Sequence, residues 1–191
     1  MQKKGNLMRN SRALGAADAA LMTAGLLLSL SFTATATTLY VDVNNPAPAA
    51  PYTNWLTAAT NIQDAVDAAA AGDEVVVTEG VYQTGGRLAS GTSTTNRVVM
   101  DKAVTVRSVN GSAVTVIQGQ PAGGGGNGLG PVRCAYLTNG AVLAGFTLRN
   151  GATGQNESGG GVVCASVDAL LTNCILAGNS AYNGGGAYGG L

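Results

Sequence analysis

The sequence predicts an all-β fold, a parallel β-helix, and two near-repeats close to the C-terminal end carry this prediction. In the first, three apolar residues recur at an offset of 28 positions: Val142 aligns with Leu170, Phe146 with Cys174 and Leu148 with Leu176. In the second, Gly-Gly-Gly-Val at 159–162 recurs 25 positions later as Gly-Gly-Gly-Ala. Short apolar segments that recur at such a spacing, separated by Gly and Asn and without a helical period, are typical of a β-solenoid.

The first segment of the chain, residues 1–36, has the pattern of a secretory signal peptide. Basic residues near the start are followed by an apolar stretch, and Ala34-Thr-Ala36 fits a cleavage site. An uncleaved membrane anchor is the alternative, but Asp18 shortens the apolar stretch below the roughly 20 residues that span a bilayer. The sequence therefore predicts an exported protein, secreted or at the cell surface, that begins at Thr37 and has no membrane span.

The composition of residues 37–191 argues against several classes of function. Nine acidic and six basic side chains give a net charge of −3, and no basic patch is present for a nucleic-acid partner. The chain has no histidine and no Cys-x-x-Cys spacing, so we expect neither a metal site nor another cofactor. An apolar content of 46% for the whole chain argues against disorder and indicates one domain with a buried core.

Residues 37–73 are predicted to form an N-terminal strand and a helix that covers the first coil. The alternation of apolar and polar side chains at 39–43 indicates the strand. Apolar residues at helical spacing indicate a helix over 60–71.

The sequence also predicts which residues cap this helix and where its acidic side chains point. Thr60 and Gln63 fit a capping box, and Gly72 fits the position after the last turn. Asp64 and Asp67 lie off the apolar stripe. An acid–base pair is one interpretation of these two carboxylates, and we favour the other, a solvated helix face.

Residues 74–191 are predicted to form the coils of the β-helix. Loops are expected at 83–96 and at the Gly-rich segment 123–130, where a phosphate-binding loop is disfavoured because no Gly-Lys-Ser/Thr ending follows. The expected strands are 74–78, 98–100, 104–107, 114–117, 133–137, 142–148, 162–165 and 170–176. The expected core residues are Val104, Val106, Val114, Ile117, Leu137, Val142, Phe146, Leu148, Val162, Leu170, Cys174 and Leu176.

The sequence stops at 189–191, inside a Gly-rich turn. A solenoid needs a cap over its last coil, and the sequence offers a candidate cap only at its N-terminal end. We therefore expect the β-helix to be incomplete at its C-terminus, and we expect the uncapped last coil to self-associate through its unpaired strand edges.

Several segments together resemble the opening of known bacterial proteins. They are Leu-Tyr-Val-Asp-Val at 39–43, Trp55, Ala-Thr-Asn-Ile-Gln-Asp-Ala-Val-Asp-Ala at 59–68, Gly-Asp-Glu-Val-Val-Val at 72–77, Gly-Val-Tyr at 80–82, Ala-Val-Thr-Val at 103–106 and Thr-Val-Ile-Gln-Gly at 115–119. The pattern resembles right-handed parallel β-helix proteins of the pectin-lyase-like superfamily. This resemblance covers about 39–191 and implies a right-handed β-helix.

The Gly-Gly-Gly segments at 159–162 and 184–187 resemble the repeats of polymorphic outer-membrane autotransporters. That resemblance implies an exported surface protein. One hypothesis is accordingly a non-catalytic surface or secreted protein: an adhesin, a module that binds carbohydrate or another surface partner, or a structural passenger. The alternative is a polysaccharide lyase or glycoside hydrolase whose active site lies outside this piece, because such enzymes share the fold.

The distribution of charged residues favours the non-catalytic hypothesis. Asp101, Glu157 and Asp168 are scattered along the coils, whereas glycosidases need two carboxylates held close together. Arg133 and Arg149 fall at strand ends, where we expect them to be solvated. The sequence therefore assigns no catalytic residue, no cofactor-binding residue and no metal ligand.

The spacing of the coils predicts where the three cysteines lie relative to one another and which of them could form a disulfide. Cys134 and Cys164 begin segments that look equivalent, so they are expected one rung apart, about 4.8 Å between strands. A disulfide is compatible with that distance and with export. A ladder of two buried thiols is the alternative. Cys174 is expected to be a core residue with a free thiol.

Overall fold

Short β-strands make up most of the regular structure in residues 35–123 and 130–190, which are the residues described by the computed structural model of the chain. One α-helix, α1 (Ile62–Ala68), and a 3-10 turn at Trp55–Thr57 accompany them. The strands are β1 (Thr38–Val41), β2 (Glu74–Val77), β3 (Gly80–Tyr82), β4 (Arg87–Leu88), β5 (Thr95–Met100), β6 (Thr105–Ser108), β7 (Thr115–Gln118), β8 (Val132–Leu137), β9 (Val142–Ala144), β10 (Thr147–Arg149), β11 (Val162–Cys164), β12 (Leu170–Thr172), β13 (Ile175–Ala177) and β14 (Ala187–Gly189).

The strands form three sheets, in which every pairing but one is parallel. Sheet A has the order β1-β2-β6-β9-β12, sheet B has β13-β10-β7-β3, and sheet C has β14-β11-β8-β5-β4. Sheet C is mixed, because β4 and β5 pair as an antiparallel hairpin. The predicted all-β class, with parallel sheets, is confirmed.

Neighbouring strands align residues that are far apart in sequence. Val106 of sheet A lies beside Val75 and Leu143, and Leu148 of sheet B lies beside Ile117. All five side chains belong to one buried cluster. Aligned Val, Leu and Ile side chains between parallel strands remove much apolar surface from water, at about 25 cal/mol per Å².

The core contains most of the residues that the sequence predicted for it. Val104, Val106, Ile117, Leu137, Phe146, Leu148 and Val162 are all buried. The prediction is wrong for Val114 and Leu170, which are 48% and 51% exposed, and Val142 is only half-buried. Cys174 is half-buried, and Leu176 is 38% exposed.

The corners between sheets explain the errors at Val142 and at Leu170, which lies beside it. The segment 142–148 is not one strand but two, β9 and β10, because Gly145 has a φ of +79° and turns the chain between them. Asn173, with a φ of +51°, separates β12 and β13 in the same way. A corner shifts the alternation of side chains, so Leu143 and not Val142 points inward ahead of Phe146.

The helix is shorter than predicted and begins with a different cap. Its N-cap is Asn61, whose side chain accepts a hydrogen bond from Asp64 N at 3.0 Å, so the predicted Thr60–Gln63 capping box is wrong. Gln63 is buried instead, and its amide group accepts from Val99 N and donates to the Val99 carbonyl. This pair of bonds fixes α1 against β5, at the N-terminal side of the molecule.

Beyond the helix, residues 70–73 make a separate turn. Asp73 accepts hydrogen bonds from Ala70 N at 2.7 Å and from Thr37 N at 2.8 Å. Gly72 adopts a φ of +93° within this turn rather than directly after the helix. Ile62, Ala65 and Val66 on the inner face of α1 join the buried cluster with β1 and β2.

Some predictions fall outside the described residues. Residues 1–34 of the predicted signal peptide, 1–36, lie outside the described residues, and the compact unit that is described begins at Thr35. Most of the Gly-rich loop at 123–130 and the terminal Leu191 also lie outside the described residues. Within the part of the chain that is described, no helix is long and apolar enough to cross a membrane.

Candidate functional site

A row of side chains crosses the outer face of sheet C. The register places Tyr136 of β8 beside Val163 of β11, and Val163 beside Tyr188 of β14. Their chain neighbours Ala135 and Val162 belong to the buried cluster, and side chains alternate between the faces of a strand, so the row faces away from the core. Tyr188 is 51% exposed, and Tyr136 and Val163 are half-buried.

Two clefts open on either side of Tyr136, and we call them together the Tyr136 groove. One has a volume of about 230 Å³ and includes Glu157, Val163 and Tyr188, and the other has a volume of about 320 Å³ and includes Asp101. Residues from the β4–β5 hairpin line both clefts, which makes the hairpin a wall of the groove. The sequence predicted only an irregular polar loop in this region, and the hairpin strand β4 was missed.

Arg133 is buried at one end of the groove, contrary to the prediction that it is solvated. Its side chain is 2% exposed. The guanidinium group donates to the Gly159 carbonyl at 2.8 Å and to Asn96 Oδ1 at 2.6 Å. It also donates to the Ser158 carbonyl and to Glu157 Oε2, both at 3.0 Å. A buried guanidinium is stable only when its charge and its donors are satisfied, and these acceptors satisfy them.

Glu157 completes this arrangement from the turn that precedes β11. Its Oε1 accepts hydrogen bonds from Ser93 N at 2.8 Å, Ser93 Oγ at 2.6 Å and Thr94 N at 3.2 Å. Burial alone raises the pKa of Glu157, but the bonds from Ser93 and Thr94, together with the Arg133 ion pair, outweigh burial and lower the pKa to about 2. The carboxylate is therefore ionised at neutral pH.

The other cleft holds a second ion pair. Arg87 Nη2 lies 2.7 Å from Asp101 Oδ2, and Arg87 Nε lies 3.3 Å from Asp67 Oδ1 on helix α1. The hydrogen bond from Arg87 lowers the pKa of Asp101. Each of the two cationic side chains that line the groove in the described structure is thus paired with a carboxylate.

The remaining predicted charged residues do not line the groove, although Asp67 contacts Arg87 from behind it. Asp168 is exposed, and its backbone N–H donates to Ser166 Oγ. Arg149 binds Gln118 Oε1 through Nε and Nη2 at 3.0 and 2.8 Å. Asp64 and Asp67 are exposed on α1, as predicted for a solvated face. Among residues 35–123 and 130–190, no three or more Asp, Glu or Cys side chains converge into a metal-binding group.

The register of the cysteines differs from the prediction. Cys164 lies beside Leu137, and the Cys134 N–H donates to the carbonyl of Gly160, so Cys134 and Cys164 are not equivalent. Both the predicted disulfide and the predicted ladder are therefore wrong, and all three cysteines are free. Burial raises the pKa of Cys134 to about 12, which makes it a poor nucleophile. Cys174 Sγ accepts from Phe146 N, so Cys174 sits at the predicted position opposite Phe146.

The sequence analysis missed the tyrosines and the Arg133–Glu157 pair. One signal was available for Tyr188: the near-repeat of 159–162 and 184–187 aligns Val162 with Ala187 and therefore Val163 with Tyr188. No comparable repeat in the sequence indicates that Arg133 contacts Glu157, which lies 24 residues further along the chain.

Comparisons with protein-family models, with curated proteins and with solved structures found no match to this chain.

Proposed function

We propose that this chain is an exported, non-catalytic, right-handed parallel β-helix protein that binds a glycan along the Tyr136 groove. The observation that carries this proposal is the groove itself. Its floor is a row with two tyrosines, its wall is a hairpin, and its charged side chains are paired with one another.

The β-helix is supported by the order in which the strands enter the sheets. β2, β3 and β5 belong to sheets A, B and C in turn, and the same order returns with β6, β7 and β8, then β9, β10 and β11, and then β12, β13 and β14. Two adjacent parallel strands must be joined by a crossover connection. Here the chain makes that connection by passing through the other two sheets before it returns. The right hand of the winding rests on the resemblance of the opening segments to right-handed β-helix proteins.

The absence of catalysis is supported by the state of the two carboxyl groups in the groove. A general acid needs a pKa near the working pH, usually raised by an apolar environment. The pKa of Glu157 is lowered to about 2, and the pKa of Asp101 is also lowered. A lyase needs a free base, and Arg133 is held by Glu157, Asn96 and two carbonyl groups.

Binding of a glycan is supported by shape and by location. Tyrosine rings at a surface offer flat apolar faces with a polar hydroxyl group, which suits sugar rings that have apolar C–H faces and polar edges. Export, which rests on the signal-peptide pattern at 1–36, brings the protein into contact with extracellular polysaccharides.

The proposal is tested by nuclear magnetic resonance of the labelled protein titrated with soluble oligosaccharides, both uncharged and acidic. We expect amide shifts confined to the Tyr136 groove with at least one oligosaccharide. Tyr136→Ala should require about tenfold more oligosaccharide for the same shifts, and Tyr136→Phe, which keeps the ring, should behave like the unaltered chain. Val114→Ala, at an exposed residue just before β7 of sheet B, serves as the control.

Two outcomes contradict the proposal. If no oligosaccharide shifts the groove residues, glycan binding is excluded. If the protein binds an oligosaccharide and cleaves it, seen as new reducing ends or unsaturated products, the lyase or hydrolase alternative replaces the non-catalytic function.

A further inference from the structure

We infer that the ligand of the Tyr136 groove is an uncharged glycan, with one sugar ring on Tyr136 and another on Tyr188. This inference rests on the glycan-binding function proposed above. It is carried by two independent observations: how the charges in the groove are used, and how far apart the two tyrosines lie.

The charged side chains of the groove have little capacity left for a charged ligand. Arg133 already gives hydrogen bonds to Glu157, Asn96 and the carbonyl groups of Ser158 and Gly159, and only 2% of its side chain is exposed. An acidic sugar that approached Arg133 would have to displace Glu157. That exchange leaves a carboxylate without its partner, and an unpaired buried charge is costly.

Arg87, at the other end of the groove, is also held by carboxylates, although its side chain is 35% exposed and its one side-chain hydrogen bond goes to Asp101. It is paired with Asp101 at 2.7 Å and lies 3.3 Å from Asp67, so two carboxylates surround one guanidinium group. Lys102 Nζ also lies here, 3.2 Å from the Asp67 carbonyl, so the two cationic and two anionic side chains balance and no net positive charge is left to attract an acidic glycan. A cationic ligand has no free carboxylate to bind at the opposite end, because Glu157 already accepts hydrogen bonds from Ser93, Thr94 and Arg133.

The tyrosine row has a spacing that fits a sugar chain. Tyr136 and Tyr188 lie on either side of Val163 in three adjacent parallel strands. With strands about 4.8 Å apart, the two tyrosines are separated by about 10 Å. This separation is close to the length of a disaccharide unit in an extended glycan. Alternate sugars can therefore stack on the two rings while the sugar between them crosses the smaller Val163.

The neighbouring hydroxyl and amide groups suit hydroxylated sugars. Thr92 and Ser158 line one cleft, and Ser90, Thr138 and Asn139 line the other. Such neutral donors and acceptors give orientation to a ligand through hydrogen bonds without requiring charge.

The inference is tested by calorimetric titration of the full chain with uncharged hexasaccharides (cellohexaose, xylohexaose and mannohexaose) and with the acidic hexagalacturonate. We expect at least one uncharged probe to bind, with an affinity that changes less than twofold between about 0.1 M and 1 M salt, because no ion pair forms with the ligand. We expect hexagalacturonate to bind at least about tenfold more weakly than that probe, because its carboxylates would have to compete with Glu157, Asp101 and Asp67 for Arg133 and Arg87.

Variants test the two stacking positions separately. Tyr136→Ala and Tyr188→Ala should each weaken binding of the uncharged probe about tenfold, the loss expected for one ring contact. Tyr136→Phe and Tyr188→Phe keep the rings and should bind nearly as well as the unaltered chain. Val114→Ala again controls for a change remote from the groove.

The possible results separate this inference from the function on which it rests. Tyr136-dependent binding of hexagalacturonate in preference to every uncharged probe overturns the inference and leaves glycan binding intact. Failure of all the probes to bind overturns both. Binding of an uncharged probe that Tyr188→Ala does not weaken removes Tyr188 from the site and overturns the two-ring arrangement.

Discussion

Glu157 joins three parts of the chain that are distant in sequence. One carboxylate oxygen holds Ser93 and Thr94, which lead into β5, and the other holds Arg133 of β8. The adjacent backbone strengthens the junction, because Gly154 N donates to Thr94 Oγ1 at 3.0 Å. The hairpin that forms the groove wall is thus tied to the turn before β11 mainly through one ionised side chain.

The first prediction concerns the pH dependence of stability. The pKa of Glu157 is about 2 in the folded protein, below its usual 4.5, so the unfolded chain binds a proton more readily. Its contribution to the free energy of unfolding should be complete above about pH 4.5 and should disappear as the pH falls towards 2. Glu157→Gln should therefore be less stable than the unaltered protein at neutral pH, and the difference should shrink in acid.

Urea denaturation across this pH range measures the effect. Asp168→Asn, which removes an exposed carboxyl group outside the network, should differ little from the unaltered protein at any pH. A Glu157→Gln difference that is the same at neutral pH and near pH 2 would show that the ion pair does not stabilise the fold.

The second prediction concerns the thiols. All three cysteines are free, and Cys134 is fully buried with a pKa raised to about 12 by that burial. Denatured, non-reduced protein should therefore yield three reactive thiols per chain, and Cys134 should react with a thiol reagent only on unfolding. A count of one thiol would instead require a disulfide and a different register of β8 and β11.

At the scale of one element, the helix α1 depends on Asn61 and Gln63 in different ways. Asn61 caps the first turn, and Gln63 fixes the helix to the backbone of Val99. N-cap preference alone does not choose between Thr60 and Asn61, since both Thr and Asn are good N-cap residues. Burial of Gln63 decides between them, because a Gln that binds β5 is not available for a capping box.

The third prediction compares the two capping candidates. Asn61→Ala removes the acceptor for Asp64 N and should lower the free energy of unfolding by about 1 kcal/mol. Thr60→Ala should change it by less than about 0.5 kcal/mol, since Thr60 does not cap the helix. Chemical denaturation of both variants measures the difference. A larger loss in Thr60→Ala than in Asn61→Ala would restore the predicted capping box.

Most strand positions were predictable from the sequence, although β4 and β14 were not and two predicted strands are each divided by a corner. The inward-facing side chains were predictable only within single strands. Alternation identifies Leu148 and Ile117 correctly because each lies in one uninterrupted strand. The corner at Gly145 interrupts the alternation of inward and outward side chains, so the predicted core contains Val142 in place of Leu143. A corner residue with positive φ is a single local change, but it alters every inward assignment on one side of it.

The Tyr136 groove was not predictable because its parts come from separate passes of the chain. The hairpin wall, Arg133 and Glu157 are brought together only by the three-sheet arrangement. Arg133 at a strand end is ordinarily solvated, and nothing local in the sequence indicates that Asn96 and Glu157 meet it. Pairwise signals between distant segments were limited to the two near-repeats, which align β9 with β12, β10 with β13 and β11 with β14.

At the scale of the whole molecule, the two ends of the described sheets differ. Helix α1 packs against β1, β2 and β5 on one side. On the other side, β12, β13 and β14 are the outermost strands of sheets A, B and C among the described residues. Leu176 shows the consequence: it occupies the position beside Leu148 and is 38% exposed, whereas Leu148 is 0% exposed.

The fourth prediction is that this side self-associates. Outermost strands present unpaired N–H and C=O groups, and Leu170, Ile175 and Leu176 expose apolar surface beside them. The chain should therefore show a mass that rises with concentration in light scattering and sedimentation.

Two variants test whether the outermost strands cause this association. Leu176→Lys places a charge at the edge and should reduce the association, whereas Leu56→Lys, at a residue that is 83% exposed elsewhere, should not. Thermal unfolding of both variants verifies that they fold. A monomeric mass at every concentration, or equal association of the two variants, would show that the outermost strands do not mediate contact between copies.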